Sequence, residues 1–226
     1  MKAAVSWSGG KDSAYALHLA KQQGHEIVNL LTMMSSKEKS NFHMINSNLL
    51  EAQATATNIP LIKKQTSNET YEQEFKAALT ELKAKGVEGL ITGDICAVAG
   101  HEEGWLNRVC QERGLKPIKP LWTMRDTKQI YLNYIEAGFK ATVVRIDYSK
   151  LGTEWLGRVL DKQFYEDTLK IGIDPCGENG EYHTIVTDGP YFKKKIEILE
   201  TQKHNLKGNF DYLEIKNFKL KIKEQG

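Results

Sequence analysis

An apolar run, Ala3-Ala4-Val5-Ser6-Trp7, stops at Ser8-Gly9-Gly10-Lys11-Asp12-Ser13, and the helical pattern Ala14-Tyr15-Ala16-Leu17-His18-Leu19-Ala20 follows without a spacer. A buried strand that feeds a helix through a short glycine turn is the opening half of a βαβ unit, so the chain is committed early to an α/β fold with a parallel sheet.

The turn is also chemically specific. Two adjacent glycines lack Cβ atoms, so the backbone can bend sharply and bring its N–H groups close to an anion. Lys11 adds a positive charge, Ser8 and Ser13 add hydroxyl donors, and the N-terminus of the following helix faces the same point. Asp12 fits a phosphate nest if it holds a Mg²⁺ bridging to the phosphates or caps the helix. The spacing is not that of a Walker loop, because no glycine stands at the required distance before Gly10-Lys11 and the next residue is Asp.

Further along, Glu26-Ile27-Val28-Asn29-Leu30-Leu31-Thr32, Leu61-Ile62-Lys63-Lys64 and Val87-Glu88-Gly89-Leu90-Ile91-Thr92 read as strands. Between them Leu49, Ala52, Ala56 and Ile59, then Tyr71, Phe75, Ala78, Leu79 and Leu82, recur at helical spacing. A Thr66…Glu69 capping box is expected to open the second of these helices and Gly86 to close it. Helices are expected at residues 105–113 and 126–137, with a strand at 141–146 after them. From Gly180 the pattern turns to alternating antiparallel strands at 182–187, 196–199 and 212–222.

The predicted fold is therefore Rossmann-like, of the HUP type: a parallel sheet with flanking helices and a smaller C-terminal β-rich element. The expected division is an ATP-binding domain over residues 1–147 and a substrate-binding element over 148–226. Ligands in such sheets sit beyond the carboxyl ends of the strands, which brings the loops 8–13, 33–43 and 93–104 to one rim.

Composition narrows the partners. With 226 residues and a net charge of +2, the chain has room for a real core and no general field for a polyanion such as DNA. No apolar run approaches a membrane span, and the chain opens on a core strand without a signal-peptide pattern, so a cytoplasmic location is expected. Cys96, Cys110 and Cys176 are odd in number and widely spaced, which supports neither a disulfide framework nor a sequence-local metal site.

A second dense cluster is Asp174-Pro175-Cys176-Gly177-Glu178-Asn179-Gly180-Glu181-Tyr182-His183-Thr184. Its glycines let Glu178, Asn179, Glu181 and His183 be aimed from a tight turn, although Asp-Pro and Asn-Gly are also routine turn chemistry. Taken together, the chain resembles the diphthine ammonia ligase family of N-type ATP pyrophosphatases. Residues 8–13 match the superfamily's pyrophosphate loop and Phe42-His43 a family aromatic-His pair. The central block is matched by Gly93-Asp94-Ile95, Trp105, Arg108-Val109-Cys110, Gly114-Leu115 and Pro120-Leu121-Trp122. The match with most family specificity is residues 177–184 followed by Asp188-Gly189-Pro190.

The resemblance implies ATP and Mg²⁺ as cofactors and a carboxylate acceptor, diphthine on an elongation factor. The carboxylate would attack the α-phosphate of ATP, giving an acyl adenylate and diphosphate, and ammonia would then displace AMP to leave the amide. It places the nucleotide at Ser8, Gly9, Gly10, Lys11, Asp12, Ser13, His43, Gly93 and Asp94, with Asp12 as the metal-associated residue. Lys11, Asp12, Glu178, Glu181 and His183 are the catalytic candidates, His183 either as a base or as a hydrogen-bonded structural residue. Trp105, Arg108, Glu178, Asn179, Glu181, His183 and Thr184 are the substrate-side candidates. No Cys stands at position 2 to act as an N-terminal nucleophile and the chain has no room for a glutaminase domain, so free ammonium is the expected donor. A homodimer is left open. The competing readings are the same adenylation on another carboxylate, an RNA thiolase, and a non-catalytic ATP-binding sensor; the scattered cysteines and near-neutral charge weigh against the thiolase.

Overall fold

The computed structural model describes residues 1–35, 45–96, 104–122, 124, 126–205 and 209–223. Their contacts form two compact units, the first from Met1–Ser8, Asp12–Ala54 and Ile59–Arg125, the second from Gly9–Lys11, Thr55–Asn58 and Asp126–Gly226.

The first unit is built on β1 (Lys2–Ser6), β2 (Glu26–Met34), β3 (Leu61–Gln65), β4 (Gly89–Ile91) and β5 (Lys116–Ile118). All four neighbouring pairs are parallel and the order is β3-β2-β1-β4-β5. The helices α1 (Lys11–Gln22), α2 (Ser47–Thr57), α3 (Tyr71–Ala84) and α4 (Trp105–Glu112) connect them, as the strand and helix patterns predict. Chain order reverses between β1 and β4, and that switch point is where open α/β sheets take their ligands.

The core follows from helical spacing. Phe75, Leu79 and Leu82 recur on one face of α3 and are buried with Leu90 of β4 and Leu106 and Val109 of α4. Burying each such side chain contributes on the order of 1.5–3 kcal/mol. The expected Thr66…Glu69 capping box does not form: the N-cap of α3 is Thr70, whose side chain bonds no helix amide, and in the turn ahead of it Ser67 N–H donates to Thr70 Oγ1 (3.0 Å) and Thr70 N–H to Ser67 Oγ (3.3 Å). β5 escapes the strand pattern because it is three residues long and carries Pro117, which removes a ladder donor and is tolerated here at a sheet edge.

The second unit holds α5 (Thr127–Glu136), β6 (Lys140–Asp147), a 3-10 turn (Thr153–Trp155), α6 (Lys162–Ile171), β7 (Tyr182–Asp188), β8 (Lys194–Asn205) and β9 (Phe210–Ile222). Its sheet is antiparallel, in the order β7-β6-β9-β8. The stretch from Asp126 onward groups with this unit, whereas the expected boundary lies at residue 147. β6 pairs with β7 and β9, so it belongs with the second sheet. Asp126 and Asp161 cap α5 and α6 by accepting backbone N–H bonds. The aromatic core of this unit joins Tyr131, Trp155, Phe164 and Tyr182, with Trp155 and Tyr182 edge-on to Phe164.

No described helix is long and apolar enough to cross a membrane. Cys110 and Cys176 are buried and Cys96 is exposed; none is in a disulfide.

Candidate functional site

In the first unit the turn after β1 is braced by Ser8 and Ser13, whose hydroxyls lie 3.1 Å apart in a hydrogen bond. Ser13 is buried and Asp12 half-buried, both in the first turn of α1, where a carboxylate complements the positive helix end. The loop after β4 comes against the same turn. Gly93 lies so close that a Cβ on it would stand 2.5 Å from the carbonyl carbon of Asp12 and 2.6 Å from Ser13 N. The expected pairing of Gly93 with the 8–13 loop therefore has a steric basis: only a glycine allows that approach.

Asp94 follows, accepting from Thr92 Oγ1 (2.9 Å). Burial, aided by the charge of Asp94, pushes the Tyr71 phenol far above its ordinary range, so it stays protonated. Tyr71 also meets the Trp105 ring, 6.1 Å between centroids.

Trp105 and Arg108 are both committed to a residue the sequence reading missed, Glu72. Its carboxylate accepts from Trp105 Nε1 (2.7 Å) and from both terminal nitrogens of Arg108 (3.0 and 3.1 Å), and pairs with Lys76 at 2.6 Å. The bonds from Arg108, then Lys76 and Trp105, hold the Glu72 carboxyl far below the usual carboxylate range. Its i,i+4 spacing to Lys76 was visible in the sequence; its reach to α4 was not.

In the second unit, Gly9 has a positive φ of 80° and its carbonyl accepts from Val186 N–H of β7 at 2.9 Å. Lys11 N–H donates to Thr184 Oγ1 (3.1 Å), and its ammonium lies 3.9 Å from Glu178 and 5.7 Å from the Tyr182 ring centre. Lys11 is only 6% exposed. Glu178 presents a carboxylate and Tyr182 a ring face to this buried side chain. Two of the expected motifs, the glycine loop and residues 177–184, thus come together at Lys11.

Within the second motif the residues separate by role. Glu181 is 3% exposed and folds the loop on itself: it accepts from Asp174 N–H (3.3 Å), Asn179 N–H (2.9 Å) and Asn179 Nδ2 (3.1 Å). Tyr182 binds the Pro175 carbonyl through its hydroxyl. His183 follows the strand alternation of β7, which puts it on the face opposite Tyr182 and Thr184 and in register with Arg145. Arg145 in turn lies over the Phe210 ring, 3.9 Å from its centre. His183 is therefore not brought to the Lys11 side of its strand. His43 lies outside the described residues.

Two family profiles cover nearly the whole chain: Diphthamide synthase N-terminal domain matches residues 1–117 and Diphthamide synthase C-terminal domain residues 126–221. Among curated relatives, the chain is 25% identical to the mouse diphthine–ammonia ligase over 224 residues, covering 88% of this chain and 83% of that protein. It is 27% identical to the human diphthine–ammonia ligase, covering 87% and 82%. It is 26% identical to that of Schizosaccharomyces pombe over 92% of this chain but 38% of the longer fungal protein. A solved structure described as a predicted subunit of tRNA methyltransferase from Methanocaldococcus jannaschii covers 82% of this chain and 96% of its own at 17% identity and a TM-score of 0.47, too slight a likeness to bear on function. With profiles for both halves matched in order along its length, the chain belongs to the diphthamide synthase family.

Proposed function

We propose that the protein is an ATP-dependent ligase that converts diphthine, ammonium and ATP into diphthamide, AMP and diphosphate. The observation that carries the reading is the meeting of Lys11 with Glu178 and Thr184, which ties an anion-binding glycine loop to the acidic motif most specific to the family. The names of the curated relatives support the same acceptor and the same C–N bond.

A carboxylate does not react with ammonia at neutral pH because its leaving group would be oxide. Attack of the acceptor carboxylate oxygen on the α-phosphorus breaks the bond to the bridging oxygen and releases diphosphate. Ammonia then forms the C–N bond, AMP leaves and a proton is lost from nitrogen. The backbone and hydroxyls of Ser8, Gly9, Gly10 and Ser13 bind the departing phosphates, and Lys11 offsets the charge that grows on them. Gly93 and Asp94 border the nucleotide from the β4 side. Glu178, an anion beside Lys11, orients ammonium and takes up its proton, with Asn179 alongside. Trp105 and Arg108, held by Glu72 at the start of α4, are the substrate-side residues of the first unit.

Among the described residues no group of three or more His, Cys, Asp or Glu is arranged to hold a metal ion. Mg²⁺ carried in by phosphates takes one or two carboxylates from a protein, and Asp12, half-buried in the first turn of α1, would supply one. Bound there, Mg²⁺ would neutralise phosphate charge.

The test is incubation of pure protein with Mg²⁺-ATP, ammonium and an elongation factor bearing diphthine. Equal amounts of AMP, diphosphate and amide are expected. ADP as product, or tight ATP binding with no product, overturns the reading; AMP formed only with a different carboxylate keeps the chemistry and changes the acceptor.

A further inference from the structure

We infer that Asp174 is a positioning residue for Glu178, an inference that rests on the role given above to Glu178. All four polar groups of Asp174 are engaged within the second unit. Its Oδ1 accepts from the N–H of Cys176 (2.7 Å) and of Glu178 (3.5 Å), and its Oδ2 accepts from Thr127 Oγ1 (2.6 Å) at the first residue of α5. Its carbonyl accepts from Gly177 N–H (2.9 Å), and its own N–H donates to Glu181 Oε1 (3.3 Å).

An aspartate that captures the amides two and four residues ahead builds and locks a turn, and here the farther amide is that of Glu178 itself. Such a lock matters at this point in the chain. Glu178 sits between Gly177 and Gly180, both at positive φ (72° and 79°), where unrestrained backbone has the widest freedom. Gly177 is further confined by Tyr182, whose ring and carbonyl lie 3.0 Å from where a Cβ would be. Thr127 ties the turn to a capped helix, and Glu181 closes it from the other side through Asn179. Asp174 thus influences the chemistry through the place it gives Glu178, with its own oxygens occupied by the protein.

A double-mutant cycle combined with hydrogen exchange tests this. In Asp174→Ala, kcat for AMP formation should fall about 20-fold or more while KM for ATP changes less than about threefold, because ATP binding depends on the glycine loop. Asp174→Asn, which keeps an oxygen for the two amides, should recover activity to within about threefold of the wild type. In a Glu178→Gln background, Asp174→Ala should remove less than about a further twofold, since its route of action is already gone. A full 20-fold loss in that background, or undiminished activity in Asp174→Ala alone, overturns the inference. Exchange at the Cys176 and Glu178 amides is independent of any substrate. It should accelerate in Asp174→Ala, and unchanged exchange refutes the positioning role. Absence of AMP from the wild type with every acceptor would sink the ligase reading alone, the exchange arm still deciding the role of Asp174.

Discussion

Replacing Gly93 with alanine would set a methyl carbon 2.5 Å from the carbonyl carbon of Asp12, 2.6 Å from Ser13 N and 2.8 Å from the Asp12 oxygen. Ordinary contact begins near 3.4 Å, so the overlap is roughly an ångström and falls entirely on backbone, where no rotamer change relieves it. Gly93 does not adopt a positive φ, so the penalty is one of space alone. Overpacking of this kind costs about 1–3 kcal/mol, which for a chain of this size lowers Tm by roughly 2–12 °C. If the strain is relieved by shifting the first turn of α1, the phosphate loop moves with it, and a displacement near 1 Å can reduce turnover about a hundredfold. The assay is thermal unfolding alongside ATP affinity and AMP formation. Gly24→Ala is the contrast: nothing lies within 4 Å of its Cβ position but φ is +83°, so it should lose about 1–2 kcal/mol with ATP affinity intact. A Gly93→Ala protein with wild-type Tm and wild-type AMP formation would refute the steric argument.

Other expectations are as direct. Asp12→Ala should abolish AMP formation with the unfolding transition retained, and full activity in that variant removes Asp12 from the chemistry. Glu72 has a folded pKa depressed below its ordinary 4.5, so its contribution to stability is present above that value and is lost as pH falls towards the folded pKa. Acid titration of stability should therefore be shallower in Glu72→Gln; an identical acid limb would show that the α3–α4 clamp contributes nothing, and the exposure of the pair already limits its size. Cys110 is buried, which pushes its thiol up to about 12, and Cys176 is also buried while Cys96 is exposed. A thiol reagent should modify Cys96 quickly in the native protein and the other two only on unfolding, as peptide mapping would report.

The turn from β1 into α1 was legible because an apolar run, two glycines and a helical pattern agree at one place. The same local rules could not assign β6. A short run rich in β-branched residues, such as 141–146, reads as a strand of any sheet, and its neighbours are decided by long-range pairing with β7 and β9. Glu178 and Glu181 are alike in sequence, two acids in one glycine-rich stretch. Folding separates them: one faces Lys11, the other turns inward to hold three loop donors. His183 was a reasonable candidate by chemistry, and the two-residue period of β7 sets it apart from Thr184. Glu72 and Asp174 offered only helix-surface and turn chemistry to the reader of the sequence, because their partners are 36 and 47 residues away.

Adenylation of the acceptor can be followed by its oxygen. With the diphthine carboxylate labelled with ¹⁸O, and ammonium and Mg²⁺-ATP supplied, the attacking oxygen stays on phosphorus when the amide forms, so mass spectrometry should find one ¹⁸O in each AMP released. Label absent from AMP, or carried instead by inorganic phosphate with ADP as the nucleotide product, would contradict the account.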